Sequence, residues 1–218
     1  MLLAVDTATD VIGLAVTDGD RILAEQAWVS PRHATVELAP EAARLFRRIG
    51  VGDDQLQGLA LAIGPGSFSG LRIGLAFIKG LAMGRALKVV AVPTLEILAT
   101  AQPPRAEPMV ALLAAGRGRW AAAWYKWNKR RWKATGGIRL LDLPGLLEAI
   151  DRPTYVCGEM DPEARKAFAA GPALLAPPEL CVRRPAVLAQ IGWERMRKAV
   201  DPVTLTPHYP APAEAGPS

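Results

Sequence analysis

A glycine-rich turn carries the residues of this sequence that are best suited to holding an anion. The stretch Gly64–Gly74 reads GPGSFSGLRIG and joins an apolar segment to a helix-like segment. Backbone N–H groups and the helix dipole at such a junction attract phosphate. Because the glycine spacing is neither that of a P-loop nor that of a dinucleotide fingerprint, phosphate is only one interpretation. The candidate nucleotide or anion loop comprises Asp6, Thr7, Gly64, Gly66, Ser67 and Ser69.

Structural roles also account for these residues. Ser69 can cap the following helix, and Ser67 can make a local turn bond. Asp6, at the end of the first strand, can orient a water or a nucleotide-bound metal, or it can form an Asx turn. A hydrolase built from Ser67, His33 and Asp6 can also be drawn, but the sequence contains no G-x-S-x-G elbow.

The sequence contains no recognisable metal site. Its two histidines, His33 and His208, are far apart, and Cys157 and Cys181 form no C-x-x-C pair. The motifs H-x-x-x-H and H-E-x-x-H are also absent. We therefore expect no metal bound by this chain, no disulfide framework and a cytoplasmic location.

Cations and tryptophans are interleaved in one stretch of the C-terminal half. Eight Lys and Arg residues and four of the six tryptophans fall between Glu107 and Asp142, with no carboxylate between those two. Cations neutralise phosphates and indoles stack on unpaired bases, so one interpretation is a nucleic-acid surface. The alternative is an edge hairpin with a charged turn, lysines that protect the strand edge and tryptophans that pack beneath it. The candidate RNA contacts are Lys129, Arg130 and Arg131.

The first hundred residues predict one α/β lobe that places the glycine-rich turn at the end of a strand. Three short β-rich segments separated by turn residues predict a meander, and two further strands alternate with three helices. The predicted strands are Leu2–Asp6, Val11–Thr17, Arg21–Val29, Leu59–Ile63 and Lys88–Val92. The predicted helices are Thr35–Ile49, Leu71 to about Leu87, and a third that begins at Pro93.

The rest of the chain predicts a second, smaller and more degenerate lobe at 109–184. A linker, AQPPRAEP, precedes it at 101–108. A closing helix is predicted at 185–200, and the Pro/Ala-rich tail at 201–218 is predicted to be disordered. In the second lobe the predicted strands are Met109–Ala115, Arg119–Trp127 and Trp132–Leu140, and the predicted helices are Pro144–Ile150 and Pro162–Ala169.

The helix that follows the glycine-rich turn is apolar on nearly every side. Few polar positions interrupt it, chiefly Arg72 and Lys79. Such a helix must be covered on nearly every side. Its cover is either tight packing within the lobe or a second subunit, and the sequence leaves both open. A flat stripe of small residues, on which another backbone can approach closely, consists of Ala76, Gly80 and Gly84.

Composition restricts the class of protein further. The 218 residues are 50% hydrophobic and 22% charged, with a formal net charge of +5. A chain this apolar can bury a core, which excludes intrinsic disorder. The longest apolar run, Met109–Ala115, is far too short to cross a membrane. Because no basic segment precedes the first apolar residues, we expect no signal peptide and no membrane partner.

Three motifs together resemble the bacterial TsaB (YeaZ) family. They are VDTAT near the start, His33 before a Leu38-x-Pro40 segment, and AIGPGSFSGLRIGLAFIKGLA at 62–82. The last is the most specific, because the family usually reads GPGSFTGLRIG there and Ser69 keeps the hydroxyl of the usual threonine. The resemblance covers most of residues 1–100. The second lobe departs from the family pattern: Ala114 stands where an acidic residue is common.

The resemblance implies an actin/sugar-kinase/Hsp70-like (ASKHA) fold of two related lobes. It also implies a non-catalytic subunit of the machinery that makes threonylcarbamoyladenosine next to the anticodon of tRNA. The expected partners are a catalytic TsaD-like subunit and a TsaE-like ATPase, with tRNA reached through the complex and a homodimer formed when the chain is alone. ATP and metal are expected at the partner and not on this chain. The implied partner interface comprises Phe46, Arg72, Leu75, Ala76, Lys79, Gly80 and Met83.

A different class of function remains open. Proteins with similar sequences have been described as stand-alone enzymes, so the alternative is an ASKHA-type phosphotransferase or a glycoprotease-like peptidase. That alternative requires catalysis by the pure chain, lost on changing Asp6 or Ser67.

Overall fold

The computed structural model describes residues 1–31, 33–83, 85 and 87–209, and it divides the chain into two compact units. The first unit consists of Met1–Ile97 and Arg184–His208, and the second contains Leu98–Arg183. The segment that carries the predicted closing helix and the start of the predicted tail therefore belongs to the first unit. Within the described residues, no helix is long and apolar enough to cross a membrane.

The described residues form six α-helices, and two of them differ by more than one residue from their predicted bounds. The helix after the glycine-rich turn begins three residues earlier and ends five residues earlier than expected, and the closing helix ends at Glu194 and not at 200. The helices are α1 (Ala34–Arg48), α2 (Phe68–Ala82), α3 (Thr94–Thr100), α4 (Leu143–Ala149), α5 (Pro162–Ala169) and α6 (Pro185–Glu194).

The first unit is a five-stranded mixed sheet. The strand order is β3-β2-β1-β4-β5, with β1, β2 and β3 antiparallel and β1, β4 and β5 parallel. The prediction of an antiparallel meander followed by two strands that alternate with helices is confirmed, and the structure adds that these two strands run parallel to β1. The strands are β1 (Leu2–Asp6), β2 (Val11–Thr17), β3 (Ile22–Val29), β4 (Gly58–Ala62) and β5 (Lys88–Val92).

Helices cover both faces of this sheet. On one face, buried side chains of α1 and α2, such as Leu38 and Ile78, join a core with Leu3 and Leu61. On the other face α6 lies against β1 and β4, where Gly192 approaches the Ala60 methyl so closely that a Cβ on it would lie 2.5 Å away. Both faces of β1 and β4 are therefore buried, as their uninterrupted apolar sequences indicate.

The predicted disorder at 201–218 is wrong for its first part. Leu205 is buried, the Val200 and Val89 backbones exchange hydrogen bonds of 2.9 and 3.0 Å, and the His208 N–H donates to the Ile63 carbonyl at 2.7 Å. Backbone pairing and one buried leucine thus hold residues 200–208 on the first unit. The remainder of that predicted tail, residues 210–218, lies outside the described residues.

The second unit is a six-stranded sheet with more strands than the sequence predicts. The strand order is β11-β10-β6-β7-β8, and β9 also pairs with β7. The single strand predicted at Trp132–Leu140 is wrong: it is two strands, both paired to β7 and separated at Gly136-Gly137. The strands are β6 (Met109–Ala114), β7 (Arg119–Asn128), β8 (Arg131–Ala134), β9 (Arg139–Asp142), β10 (Thr154–Gly158) and β11 (Ala173–Leu175).

An ion pair anchors the start of α6 to β3. The Arg184 guanidinium donates to both carboxylate oxygens of Glu25, with Nε 2.9 Å from Oε1, and the Ala186 N–H donates to Oε1 at 3.0 Å. The hydrogen bond from Arg184 holds the pKa of Glu25 below its ordinary value, against a smaller opposing effect of desolvation. A carboxylate that titrates lower in the folded state stabilises the fold above its unfolded pKa.

We expect Glu25→Gln to lower the free energy of unfolding at pH 7 by about 1 kcal/mol, because a partly exposed charged hydrogen bond is lost. The stabilisation by Glu25 is present above about pH 4.5 and disappears as the pH falls through its lower folded pKa. We therefore expect the free energy of unfolding, measured with urea, to fall less between pH 7 and pH 3.5 in the variant than in the parent. Glu163→Gln, on the exposed side of α5, is the control; an equal change in both variants would contradict the anchoring role of Glu25.

Candidate functional site

The glycine-rich turn is held by hydrogen bonds to two neighbouring segments. Gly64 exchanges bonds with Thr94, donating its N–H to Oγ1 at 3.0 Å and accepting the Thr94 N–H at 2.8 Å. The Ser67 N–H donates to the Ala8 carbonyl at 2.6 Å. Gly64 has a φ of +117°, a backbone region that favours glycine. The turn is therefore tied to the start of α3 and to the β1–β2 connection.

Ser67, and not Ser69, caps α2. The Ser67 Oγ accepts the Gly70 N–H at 3.3 Å, whereas Ser69 lies in the first turn of the helix and is exposed. The cap explains why α2 begins at Phe68, three residues before the predicted start. No hydrogen bond joins Ser67 to His33 among the described residues.

Glycines allow the β1–β2 connection to pack directly on this turn and on α2. A Cβ on Gly70 would lie 2.1 Å from the Thr7 carbonyl oxygen, and one on Gly66 would lie 2.3 Å from that of Ala8. The Thr7 hydroxyl in turn donates to the Gly70 carbonyl at 2.7 Å. The glycines of the motif therefore serve close packing between two backbones.

The structure packs the glycine-rich turn of the predicted anion loop against the β1–β2 connection, which follows Asp6, and it uses several polar groups of the loop internally. Asp6 is buried, and its Oδ1 accepts the Ala8 N–H at 2.9 Å, the bond of an Asx turn. The N–H groups of Gly64, Ser67 and Gly70 donate to Thr94, Ala8 and Ser67 respectively. Fewer backbone N–H groups therefore remain at the start of α2 to bind an anion. Anion binding at this loop stays a prediction.

One face of α2 is exposed and largely apolar. Phe68 is 54% exposed and Met83 is 80% exposed, while Ala76 and Gly80 lie between them on the surface. The opposite face is buried, through Leu71, Gly74, Ile78 and Ala82. In the first unit α2 is therefore covered by its own chain on one side only. We call this side the α2 face; it comprises the exposed Phe68, Arg72, Ala76, Gly80 and Met83 and the half-buried Leu75 and Lys79, of which Leu75 also packs against the core.

The structure corrects one predicted interface residue and adds another. Phe46 is only 7% exposed, because it continues the buried stripe of α1 that includes Leu38, Ala42 and Leu45, so it cannot form part of a surface. Phe68 was missed, although it lies four residues before Arg72 on the same side of the helix. The Arg72 guanidinium lies 3.7 Å from the centre of the Phe68 ring.

Gly80 has no structural reason within the described chain to be a glycine. A Cβ at this position would meet nothing within 4 Å, whereas Gly70 and Gly74 of the same helix are tightly packed. Glycine inside a helix costs about 0.5–1 kcal/mol relative to alanine. The third member of the predicted small-residue stripe, Gly84, lies outside the described residues.

The C-terminal end of the α2 face borders a groove. The Lys79 ammonium donates to the Val203 carbonyl at 3.3 Å, and a groove of about 610 Å³ runs between this helix end and the segment Asp201–Val203. Val203 is 76% exposed, so it extends the apolar surface next to Met83. Met83 and Val203 thus line the same groove at the end of α2.

The predicted RNA contacts lie on a β-hairpin of the second unit. Lys129 and Arg130 form the two-residue turn between β7 and β8, and Arg131 begins β8; all three are exposed. Two tryptophans pack beneath the strands: Trp120 donates its indole N–H to the Glu159 carbonyl, and Trp132 donates to the Gln102 carbonyl. The hairpin predicted as the alternative is therefore present, and RNA contact stays a prediction.

The described residues contain no group of three or more His, Cys, Asp or Glu side chains that could hold a metal ion. Cys157 and Cys181 are both free thiols. Burial raises the pKa of the Cys157 thiol strongly, so its reactive thiolate form is disfavoured. Cys157 is therefore not placed for nucleophilic chemistry.

Comparison with known structures defines the class of protein. YeaZ from Pseudomonas aeruginosa superposes with a TM-score of 0.75 at 23% identity, covering 95% of this chain and 98% of that one. The chain thus has the actin/sugar-kinase/Hsp70-like fold, as two α/β units of related plan.

Sequence comparison then identifies the family. The family model described as TsaD, tRNA N6-adenosine threonylcarbamoyltransferase, matches residues 20–148. The tRNA threonylcarbamoyladenosine biosynthesis protein TsaB of Bacillus subtilis is 27% identical over 98% of this chain and 95% of its own length. The protein of that name from Escherichia coli is 34% identical over 98 residues, 45% of this chain and 42% of its own length. The chain belongs to the family that the TsaD model describes, and within that family to the TsaB (YeaZ) group.

Proposed function

We propose that this protein takes part in the biosynthesis of threonylcarbamoyladenosine in tRNA as a non-catalytic subunit that binds a TsaD-like transferase. Similarity to the Bacillus subtilis TsaB protein along nearly the whole chain supports the role in that biosynthesis. The role of binding partner rests on the geometry of the first unit. A TsaE-like ATPase completes the proposed machinery, and tRNA is reached through the complex.

The observation that carries the proposal is the α2 face. It exposes Phe68 and Met83 on a helix whose other side is core, and Gly80 leaves a flat place between them. Apolar surface of this kind gains free energy when it is covered, at roughly 25 cal/mol for each Å² removed from water. A glycine with open space around it allows the backbone of a partner helix to approach closely. A second copy of this chain covers the same face when the transferase is absent.

The internal use of the glycine-rich turn supports a subunit without its own catalysis. The N–H groups of Gly64, Ser67 and Gly70 already donate within the unit, and the Ser67 hydroxyl caps α2. A stand-alone phosphotransferase or peptidase needs such groups free for a phosphate or an oxyanion. We therefore place ATP and metal on the partner.

A direct test is to mix the purified protein with the TsaD-like subunit of the same organism. We expect one stable heteromeric species by size-exclusion chromatography with light scattering. When threonylcarbamoyl-adenylate is supplied as the group donor, its threonylcarbamoyl group should be transferred to the adenosine of tRNA, with release of AMP, only when both subunits and the ATPase are present. The product is measured by mass spectrometry of digested tRNA. Failure of the two subunits to associate would contradict the proposal, and so would modification of tRNA by this chain alone.

A further inference from the structure

Within the described part of the chain, the cations of the β7–β8 hairpin lack carboxylate partners, whereas several arginines elsewhere have them. Arg183, Arg184 and Arg195 each form an ion pair with a glutamate. In contrast, Lys126, Arg131 and Lys133 form no ion pair within the described part of the chain, and all are exposed. Positive charge that is not neutralised internally is available to an external anion.

The strand register gathers these cations on one side of the hairpin. Lys126 lies directly opposite Lys133, and Arg131 lies opposite Asn128. Side chains alternate along a strand, and directly opposite residues share a face, so Lys126, Lys133 and Arg131 all lie on one side. Two like charges directly opposite each other destabilise a strand pair. The hairpin contains such a pair, Lys126 and Lys133, and its own sequence has no carboxylate to offset their repulsion.

An indole extends the same side toward the body of the unit. Trp124 lies two residues before Lys126 on β7 and is only half-buried. Arg139, opposite Ala122 on β9, places its guanidinium 5.1 Å from the centre of the Trp124 ring. We call this surface the hairpin face; it comprises Trp124, Lys126, Arg131, Lys133 and Arg139.

Protection of a strand edge explains only part of the hairpin face. The pairing of β6 with β7 ends at Tyr125, so the hairpin continues beyond the sheet as a two-stranded ribbon, and among the described strands β8 and β9 each pair with β7 alone. Lysines and arginines on such edges can protect a sheet from pairing with another chain. Edge protection does not require the half-buried Trp124 indole with the Arg139 guanidinium beside it.

A recess beside Trp124 has the chemistry of a nucleobase site. It has a volume of about 440 Å³ and is lined by Trp124, Arg139, Glu148, Gly145 and Ala149. The indole and the guanidinium offer flat surfaces on which a base can stack, and the Glu148 carboxylate can accept a hydrogen bond from an exocyclic amine. Cations along the ribbon then lie where the adjoining phosphates would run.

We propose that the hairpin face binds single-stranded RNA, with one base stacked at Trp124 and the flanking phosphates on Lys126, Lys133 and Arg131. This inference deepens the proposed function. The identification of the bound RNA as a loop of tRNA rests on that proposed function. Single-stranded RNA is favoured over a duplex because its unstacked bases are free to stack on an indole. An acidic protein or an anionic membrane offers charge without a base for the recess.

The test is fluorescence anisotropy of a labelled, mixed-sequence 12-nucleotide RNA titrated with the pure protein at several salt concentrations. The triple variant Lys126→Ala, Arg131→Ala, Lys133→Ala should bind at least about tenfold more weakly. Its slope of log affinity against log salt should be shallower by about 2, since each phosphate on a single strand contributes about 0.7. The matched control removes three exposed cations elsewhere, through Arg152→Ala, Lys166→Ala and Lys198→Ala, and should bind almost as the parent does.

Trp124→Phe isolates the stacking step. Addition of RNA should quench part of the tryptophan fluorescence of the parent, and this quenching should be lost in the variant while its thermal unfolding stays close to that of the parent. Equal weakening by the two triple variants would overturn the proposal. It would also be overturned if heparin bound as tightly as RNA and Trp124→Phe had no effect, because the surface would then recognise charge alone.

The outcome is separable from that of the proposed function. If RNA does not bind but the protein still associates with the TsaD-like subunit, only the hairpin proposal fails. If RNA binds and no complex forms with that subunit, the proposed function fails and the hairpin site stands.

Discussion

Gly70→Ala should lower the free energy of unfolding by about 3 kcal/mol, while Gly80→Ala on the same helix should raise it by about 0.5–1 kcal/mol. The two substitutions add the same methyl group to α2. At Gly70 the new carbon would lie 2.1 Å from the backbone oxygen of Thr7, so the β1–β2 connection must shift and the Thr7–Gly70 hydrogen bond is strained. At Gly80 nothing lies within 4 Å, and alanine simply restricts the unfolded chain.

The measurement is thermal unfolding of both variants beside the parent, followed by circular dichroism and calorimetry. A loss of about 3 kcal/mol corresponds to a fall in Tm of roughly 6–12 °C for a chain of this size. Ser67→Ala, which removes only the cap of α2, should have an intermediate effect of about 1 kcal/mol. If Gly70→Ala and Gly80→Ala changed stability in the same direction, the described contact between the two backbones would be wrong.

The sequence predicts the first unit well because each strand is a short apolar run bounded by turn residues. The bounds of β1, β2 and β5 are as predicted, and those of β3 and β4 differ by one residue. The start of α2 was missed because Ser67 and Ser69 are equally good caps by residue type. Only the packing of the turn on Ala8 decides between them.

In the second unit the pattern is less informative. The strand β10, with sequence TYVCG, is a short run buried on both faces, which no alternation distinguishes from a piece of a helix. The strands β8 and β9 were merged into one because both are short and basic, although Gly136-Gly137 separates them. Register was beyond the reach of the sequence as well, so the opposition of Lys126 and Lys133 could be found only in the structure.

The α2 face was also predicted in part from the sequence and in part found only in the structure. Helical spacing correctly predicts an apolar rod with Ala76 and Gly80 on one side. The spacing cannot tell a glycine that packs against a backbone, such as Gly70, from one that faces open space, such as Gly80. For Phe46, in contrast, helical spacing alone is sufficient and contradicts the prediction of an interface residue. Phe46 lies eight residues after Leu38 and four after Ala42, which places it on the buried stripe of α1.

Gly80→Arg should abolish association with a TsaD-like subunit, with an increase in Kd of 100-fold or more, and leave the first unit folded. The space around Gly80 accommodates the arginine in the free protein, so stability should change by less than about 1 kcal/mol. In a complex, the same side chain would separate the two surfaces and bury an unpaired charge at the centre of an apolar contact, which costs several kcal/mol. Isothermal titration calorimetry against the partner measures the loss.

Gly171→Arg provides the matched control, because Gly171 is also exposed, has no close neighbour other than a carbonyl at 3.7 Å, and lies in the second unit. It adds the same side chain and the same charge to the second unit and leaves the residues of the α2 face unchanged, so the affinity of this variant for the partner should stay within about threefold of the parent. Comparison with Gly80→Ala separates volume from charge: if alanine already weakens association, the partner's backbone lies directly on this position. If arginine is tolerated at position 80, the α2 face is not where the transferase binds, and its exposed Phe68 and Met83 need another partner.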